Sequence, residues 1–118
     1  MARPQRSPTD CPYETAAQAI KCISGRWKVL IVRRLLEEGD SGYNEMQRAM
    51  PGVSAKMLTQ QLRELESDGV VSRTELVSDP PKTVVYSLTS LGRDLAPVVG
   101  ALSEWGQKLT RNRHQQAD

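Results

Sequence analysis

Between Pro51 and Thr89 the chain reads PGVSAKMLTQQLRELESDGVVSRTELVSDPPKTVVYSLT, a helical pattern followed by two short extended runs, and few folds accept that order. Val53, Met57, Leu58, Leu62 and Leu65 recur at helical spacing and form an apolar stripe. Ser54, Lys56, Thr59, Gln60, Arg63 and Glu64 take the opposite face. Ser54 stands where a hydroxyl can accept from the unpaired N–H groups of a first turn, and Gly69 can supply the left-handed residue that ends a helix. Beyond it, Val70, Val71, Arg73, Glu75 and Val77, then Val84, Val85, Tyr86 and Leu88, favour extended backbone. Ser78-Asp79-Pro80-Pro81-Lys82 between them is turn chemistry, because proline fixes φ and cannot donate to a ladder. A polar helix face beside a hairpin with Lys82 at its tip is the arrangement that reads a duplex, the helix in the major groove and the hairpin against phosphates. The expected fold class is therefore mainly α with a small β-hairpin (α+β), a winged helix-turn-helix.

The rest of the chain supplies the framework. Cys11-Pro12-Tyr13-Glu14 has the form of a helix start, with proline at the first helical position, and Ala16, Ala17, Ala19, Ile20 and Ile23 continue it to Ser24-Gly25. Trp27, Leu30, Ile31, Leu35 and Leu36 mark the buried face of a second helix, Arg26 to Glu38, stopped by Gly39. After the loop Gly39-Asp40-Ser41-Gly42, a short third helix runs from Tyr43 or Asn44 to Met50, with Tyr43, Met46, Ala49 and Met50 inward. Pro51-Gly52 then gives the tight turn of a helix-turn-helix. From Thr89, a helix cap, Leu91, Leu95, Val98, Leu102, Trp105 and Leu109 alternate steps of four and three residues. That period, about 3.5 residues, is the seam along which two helices pair. Pro97 inside this helix is expected to remove a bond to the Arg93 carbonyl and bend the axis. The six-position stripe exceeds what one small core needs, so with the first helix it is assigned to a homodimer interface.

A length of 118 residues suits one domain: a disordered arm over 1–10, a DNA-binding and dimerisation domain over 11–110, and a polar tail over 111–118. Sixteen Lys and Arg against fourteen Asp and Glu leave a net charge of only +2, so charge placement rather than total charge must carry any affinity for nucleic acid. No apolar run approaches the roughly 20 residues that cross a bilayer, and the charged, proline-bearing start is no secretory signal; the chain is expected to be soluble and cytoplasmic. Two cysteines and one tail histidine, His114, make neither a disulfide framework nor a metal site. No cofactor is implied. Nor is an enzyme, since no nucleophile with a base, carboxylate pair or phosphate loop is present.

The candidate contacts follow from chemistry. Ser54 and Lys56, at the helix N-terminus, suit phosphates. Gln60 can pair with an adenine edge and Arg63 with guanine N7 and O6, while Thr59 shares their face. Arg73 and Lys82 on the wing suit the backbone or minor groove. Cys11, at a helix N-cap, has two readings, a simple cap or a thiol activated by the helix dipole; Cys22, among Ala19, Ile20 and Ile23, reads as a small hydrophobe. A winged helix used as a protein-interaction module without DNA is the alternative to a DNA reader.

Five stretches identify a family: Cys11-Pro12, GRWKVLIVRRL at Gly25 to Leu35, PGVSAKMLTQQLRELESDGVV at Pro51 to Val71, PPKTVVYSLTSLGR at Pro80 to Arg93, and Trp105-Gly106. With these the chain resembles the HxlR-type winged-helix transcriptional regulators of bacteria. The resemblance implies a homodimer on a pseudo-palindromic operator in double-stranded DNA, paired through terminal helices from both ends of the chain. It also implies an inducing signal, either a small-molecule effector or oxidants and electrophiles sensed by a cysteine such as Cys11. Cys11 stands sixteen residues before Trp27, a wider interval than the family's.

Overall fold

The computed structural model describes residues 12–76 and 83–116. In chain order the elements are α1 (Pro12–Ile23), α2 (Arg26–Glu38), β1 (Ser41–Gly42), α3 (Tyr43–Ala49), α4 (Ala55–Ser67), β2 (Val71–Leu76), β3 (Thr83–Leu88), α5 (Ser90–Arg93) and α6 (Ala96–Gln116). Most of the described chain is helical, and the strands form one antiparallel sheet ordered β1-β3-β2. This is the expected winged helix-turn-helix. Cys11, Val77 and the hairpin tip with Lys82 lie outside the described residues.

The core gathers Ile31, Val32 and Leu35 of α2, Met46 of α3, Leu58, Leu62 and Leu65 of α4, Val70, Val71, Tyr86, Leu88 and Val99. Helical periodicity thus placed most of the buried stripe, while Met57 and Ala49, also expected inward, stay exposed because they sit at the margins of their faces. On α1 only Ile23 is buried, whereas Tyr13 and Ile20 stand in solvent.

The ends of α4 follow its sequence. Ser54 Oγ accepts from the Met57 N–H at 3.0 Å. At the other end Gly69, with φ +78°, donates its N–H to Glu66 and Val70 donates to Leu65, both at 3.0 Å. These two bonds and the buried Val70 and Leu65 make a Schellman ending, which needs a left-handed residue that glycine supplies without steric cost.

Two expectations are corrected. The segment read as a loop contains β1, where Ser41 pairs with Tyr86 and Gly42 with Val85. Ser41 is 2% exposed, and its Oγ donates to the Gly39 carbonyl at 3.1 Å, so the buried hydroxyl is satisfied. The second correction concerns the last helix, which is two. Thr89 Oγ1 caps the short α5 by accepting from the Gly92 N–H at 3.0 Å, and the chain turns at Asp94-Leu95 before α6 begins. Pro97 is the second residue of α6, in a turn whose N–H groups have no intrahelical partner, so it costs no bond and starts a helix rather than bending one. Leu91 therefore sits on α5, apart from Val98, Leu102, Trp105 and Leu109 on α6, and Leu95 lies in the joint, half-buried against the core. α6 runs on to Gln116, through residues 111–116 of the polar tail. No helix among the described residues is long and apolar enough to cross a membrane.

Gly92 is the most closely packed of the glycines. A Cβ there would collide with the Val70 carbonyl and come within 2.9 Å of Leu88 Cδ2. Thr89 closes the same corner: its N–H donates to the Val70 carbonyl at 3.1 Å and its hydroxyl points to the Gly69 carbonyl at 2.6 Å. The end of α4, the start of β2 and α5 are thus one knot.

Candidate nucleic-acid interface

The capped start of α4 leaves Ser54, Lys56, Gln60 and Arg63 exposed on one face, as the sequence pattern required. Ser54 uses an oxygen lone pair on Met57, so its hydroxyl proton is free for an acceptor outside the helix. Lys56, Gln60 and Arg63 line a shallow groove of about 500 Å³ with Ala55, Thr59 and Glu64.

Thr59 is differently placed. The Tyr43 hydroxyl donates to the Ala55 carbonyl at 3.0 Å and lies 3.1 Å from Thr59 Oγ1. A phenol has one proton, so with Ala55 as its acceptor the proton between Tyr43 and Thr59 comes from Thr59. Half-buried Thr59 then has only acceptor capacity left, which suits a base amine and not a phosphate. Tyr43, expected to face inward, is half-buried against the core, and its hydroxyl also makes it a strut from α3 to the first turns of α4.

Lys28 is a second positioning residue that sequence reasoning did not single out. Its Nζ lies 2.7 Å from Glu64 Oε2, and its side chain is only 12% exposed. This bond, helped by the Gln60 amide, holds the Glu64 carboxyl below its ordinary range despite the opposing effect of desolvation. The acidic residue closest to the reading face is thereby neutralised by a cation from α2. Neither contact has a local signature, because each depends on how two helices meet.

On the wing Arg73 pairs across the sheet with Tyr86, and its Nη1 bonds Glu75 Oε1 at 3.1 Å. The Tyr86 hydroxyl first, then Glu75, hold its guanidinium more firmly charged. Arg73 and Arg63 flank a cleft of about 530 Å³ between α4 and the sheet, floored by Tyr43, Val84 and Tyr86. The cleft thus presents two guanidinium groups, one partly committed to Glu75, beside the carboxylate of Glu66.

A separate surface lies on the terminal helices. Val98, Leu102 and Trp105 are 43%, 46% and 61% exposed, Leu109 is half-buried, and all four fall along one line of α6. Beside them Ile20, Ile23, Val29, Leu30, Val99 and Leu102 line an apolar groove of about 470 Å³ between α1, α2 and α6. Cys22, at the end of α1, is half-buried, and burial first, then Asp68, push its thiol above the ordinary range.

The profile of the HxlR-like helix-turn-helix family matches residues 22–114. The chain is 43% identical over 98 residues to the uncharacterized HTH-type transcriptional regulator YdeP of Bacillus subtilis (strain 168), covering 83% of this chain and 73% of that one. Among solved structures it is similar to the redox regulator HypR in its reduced form, with TM-score 0.78 and 36% identity over 86% of this chain and 98% of that one. The oxidized form of HypR gives TM-score 0.71 and 40% identity, over 83% and 96% of the two chains.

Proposed function

The chain belongs to the HxlR-like helix-turn-helix family and is a DNA-binding transcriptional regulator, and from that premise we propose that it acts as a homodimer on a pseudo-palindromic operator. The observation that carries the dimer is the apolar line Val98, Leu102, Trp105 and Leu109 on α6, beside exposed Ile20 on α1. A contiguous apolar surface of this kind calls for a cover, and a second copy brings both the matching line and the apolar groove between α1, α2 and α6. Each copy then presents one α4 to the major groove. Lys56 and Ser54 hold phosphates near the helix start, Gln60 and Arg63 face base edges, and Arg73 with Lys82 follow the backbone from the wing.

Selection of bound sites from random duplexes tests this reading. Two inverted half-sites about 34–36 Å apart are expected. Gln60→Ala should relax one base position at a cost of about 1–3 kcal/mol, and Lys56→Ala should weaken all sequences alike while lowering the salt slope by about one. Trp105→Glu should sediment as a monomer and lose the operator. Equal binding to every duplex, or a stable dimer in Trp105→Glu, overturns the reading.

The likeness to a redox regulator supports a second element, release by oxidation. Cys22, with its raised thiol, is the wrong nucleophile. Cys11 precedes Pro12 in the sequence, at the position that the helix-start pattern reads as an N-cap, where a helix dipole would favour a thiolate. Mild oxidant is expected to change operator affinity in wild type and in Cys22→Ala, and to leave Cys11→Ser unmoved; a response that persists in Cys11→Ser refutes the assignment.

A further inference from the structure

The hydroxyl of Thr59 on the reading helix takes its direction from a residue on another helix. Tyr43 opens α3 directly after β1, where Gly42 pairs with Val85, and its ring packs against the core. The place of its Oη is therefore set by the fold beneath α4 and not by α4 itself. That oxygen lies 3.0 Å from the Ala55 carbonyl and 3.1 Å from Thr59 Oγ1. A carbonyl only accepts, so the phenol proton lies on the Ala55 side; on the Thr59 side it would leave two oxygens facing each other with no proton between them. Thr59 accordingly turns its own proton inward and presents lone pairs alone.

It does so in the groove that also holds Lys56, Gln60, Arg63 and Glu64. Lys56 and Arg63 can only donate, Gln60 does both, and the Glu64 carboxylate is taken up by Lys28 at 2.7 Å. A neutral group that only accepts is thus what Thr59 adds to this surface. We propose that Tyr43 is a specificity-determining residue of the DNA reader, one that makes Thr59 select an amino base in the major groove, through the N6 amine of adenine or the N4 amine of cytosine. A threonine hydroxyl left to itself donates or accepts and so serves either kind of base edge. Locked as an acceptor, it meets guanine O6 or thymine O4 lone pair to lone pair, and both oxygens lose the partner that water gave them. Tyr43 itself touches no DNA; it is a positioning residue, and part of the sequence preference of α4 is written in α3. The inference rests on the DNA-binding reading above.

Selection of bound sites from random duplexes, run on the full chain and on Thr59→Val and Tyr43→Phe, tests it. Thr59→Val keeps the shape and the methyl and removes the hydroxyl. Wild type should enrich adenine or cytosine over the keto bases at one position of each half-site by about three- to tenfold, and Thr59→Val should lose that preference while retaining the others. Tyr43→Phe frees the Thr59 proton, so it should admit guanine or thymine at the same position, with the preference falling below about twofold and the rest of the site unchanged. A second measurement uses the wild-type operator with a nucleobase at that position that lacks only the exocyclic amine. Wild type should bind it about as weakly as Thr59→Val binds the natural operator, and removing the amine should cost Thr59→Val nothing further. Identical sites selected by wild type and Thr59→Val, or an amine removed without loss in wild type, overturn the proposal. A thymine that Thr59→Val still selects assigns the contact to the threonine methyl and overturns it too. Tyr43→Phe that weakens every sequence alike, with the preference intact, leaves Tyr43 a prop for α4 and refutes its role. A wild-type protein that enriches no sequence strikes the DNA-binding reading and this inference with it, whereas an enriched site without amine dependence strikes this inference alone.

Discussion

Replacing Gly92 by alanine tests the account of the knot that joins α4, β2 and α5. Helix propensity alone favours the change by about 1 kcal/mol. Against it, the new methyl collides with the Val70 carbonyl and comes within 2.9 Å of Leu88 Cδ2, and the carbonyl is backbone that cannot rotate aside. Overpacking of this kind costs about 1–3 kcal/mol. Relief requires α5 to back away from β2, which stretches the Thr89 N–H bond to Val70 and the Thr89 hydroxyl bond to Gly69, each worth about 1 kcal/mol. The net expectation is a loss of about 2–3 kcal/mol, or roughly 10 °C in Tm for a chain of this size. Thermal and urea unfolding followed by circular dichroism, at one protein concentration because dimerisation would shift the midpoint, give the number. A Gly92→Ala protein within about 0.5 kcal/mol of wild type, or one more stable through propensity, refutes the steric argument.

Gly100, on the face of α6 away from the apolar line, has no atom within 4 Å of a built Cβ, so Gly100→Ala should stabilise by about 0.5–1 kcal/mol in the same unfolding assay. Glu64 is held below its ordinary pKa by Lys28; the stability this contributes is complete above the usual carboxylate range and is lost as pH falls through the lowered value. Lys28→Met should flatten that part of the acid unfolding profile and return the Glu64 carboxyl, followed by NMR titration, toward its ordinary value. Tyr43→Phe removes both hydroxyl contacts to α4 and should cost about 1 kcal/mol in urea denaturation, with amide shifts centred on Ala55 and Thr59.

What the sequence made legible was local. Ser54, Gly69 and the stripe from Val53 to Leu65 define α4 within a single span of chain, and Ser54, Lys56, Gln60 and Arg63 share a face because the helical period requires it. β1 was hidden, because Ser41 and Gly42 have no extended propensity of their own and become a strand only by meeting the far side of β3. The break before α6 was hidden for the opposite reason. The apolar spacing from Leu91 to Leu109 is continuous, and the division comes from tertiary contact at Gly92 and Thr89, with Pro97 as the local sign that a helix begins there. Tyr43 with Thr59, and Lys28 with Glu64, join helices whose crossing no spacing rule states.

The sheet's order also governs how copies of this chain avoid one another. An open strand edge is a template for uncontrolled strand addition and aggregation. Here β3 is flanked on both sides. One flank is β1, two residues long and too short to seed a further strand. The other is β2, whose exposed stretch carries the Arg73–Glu75 ion pair, charges that an incoming strand would have to desolvate. Edge-to-edge growth is thus opposed at both rims, and most of the exposed large apolar side chains among the described residues, Val98, Leu102 and Trp105 among them, stand on helices, which offer no backbone edge to extend.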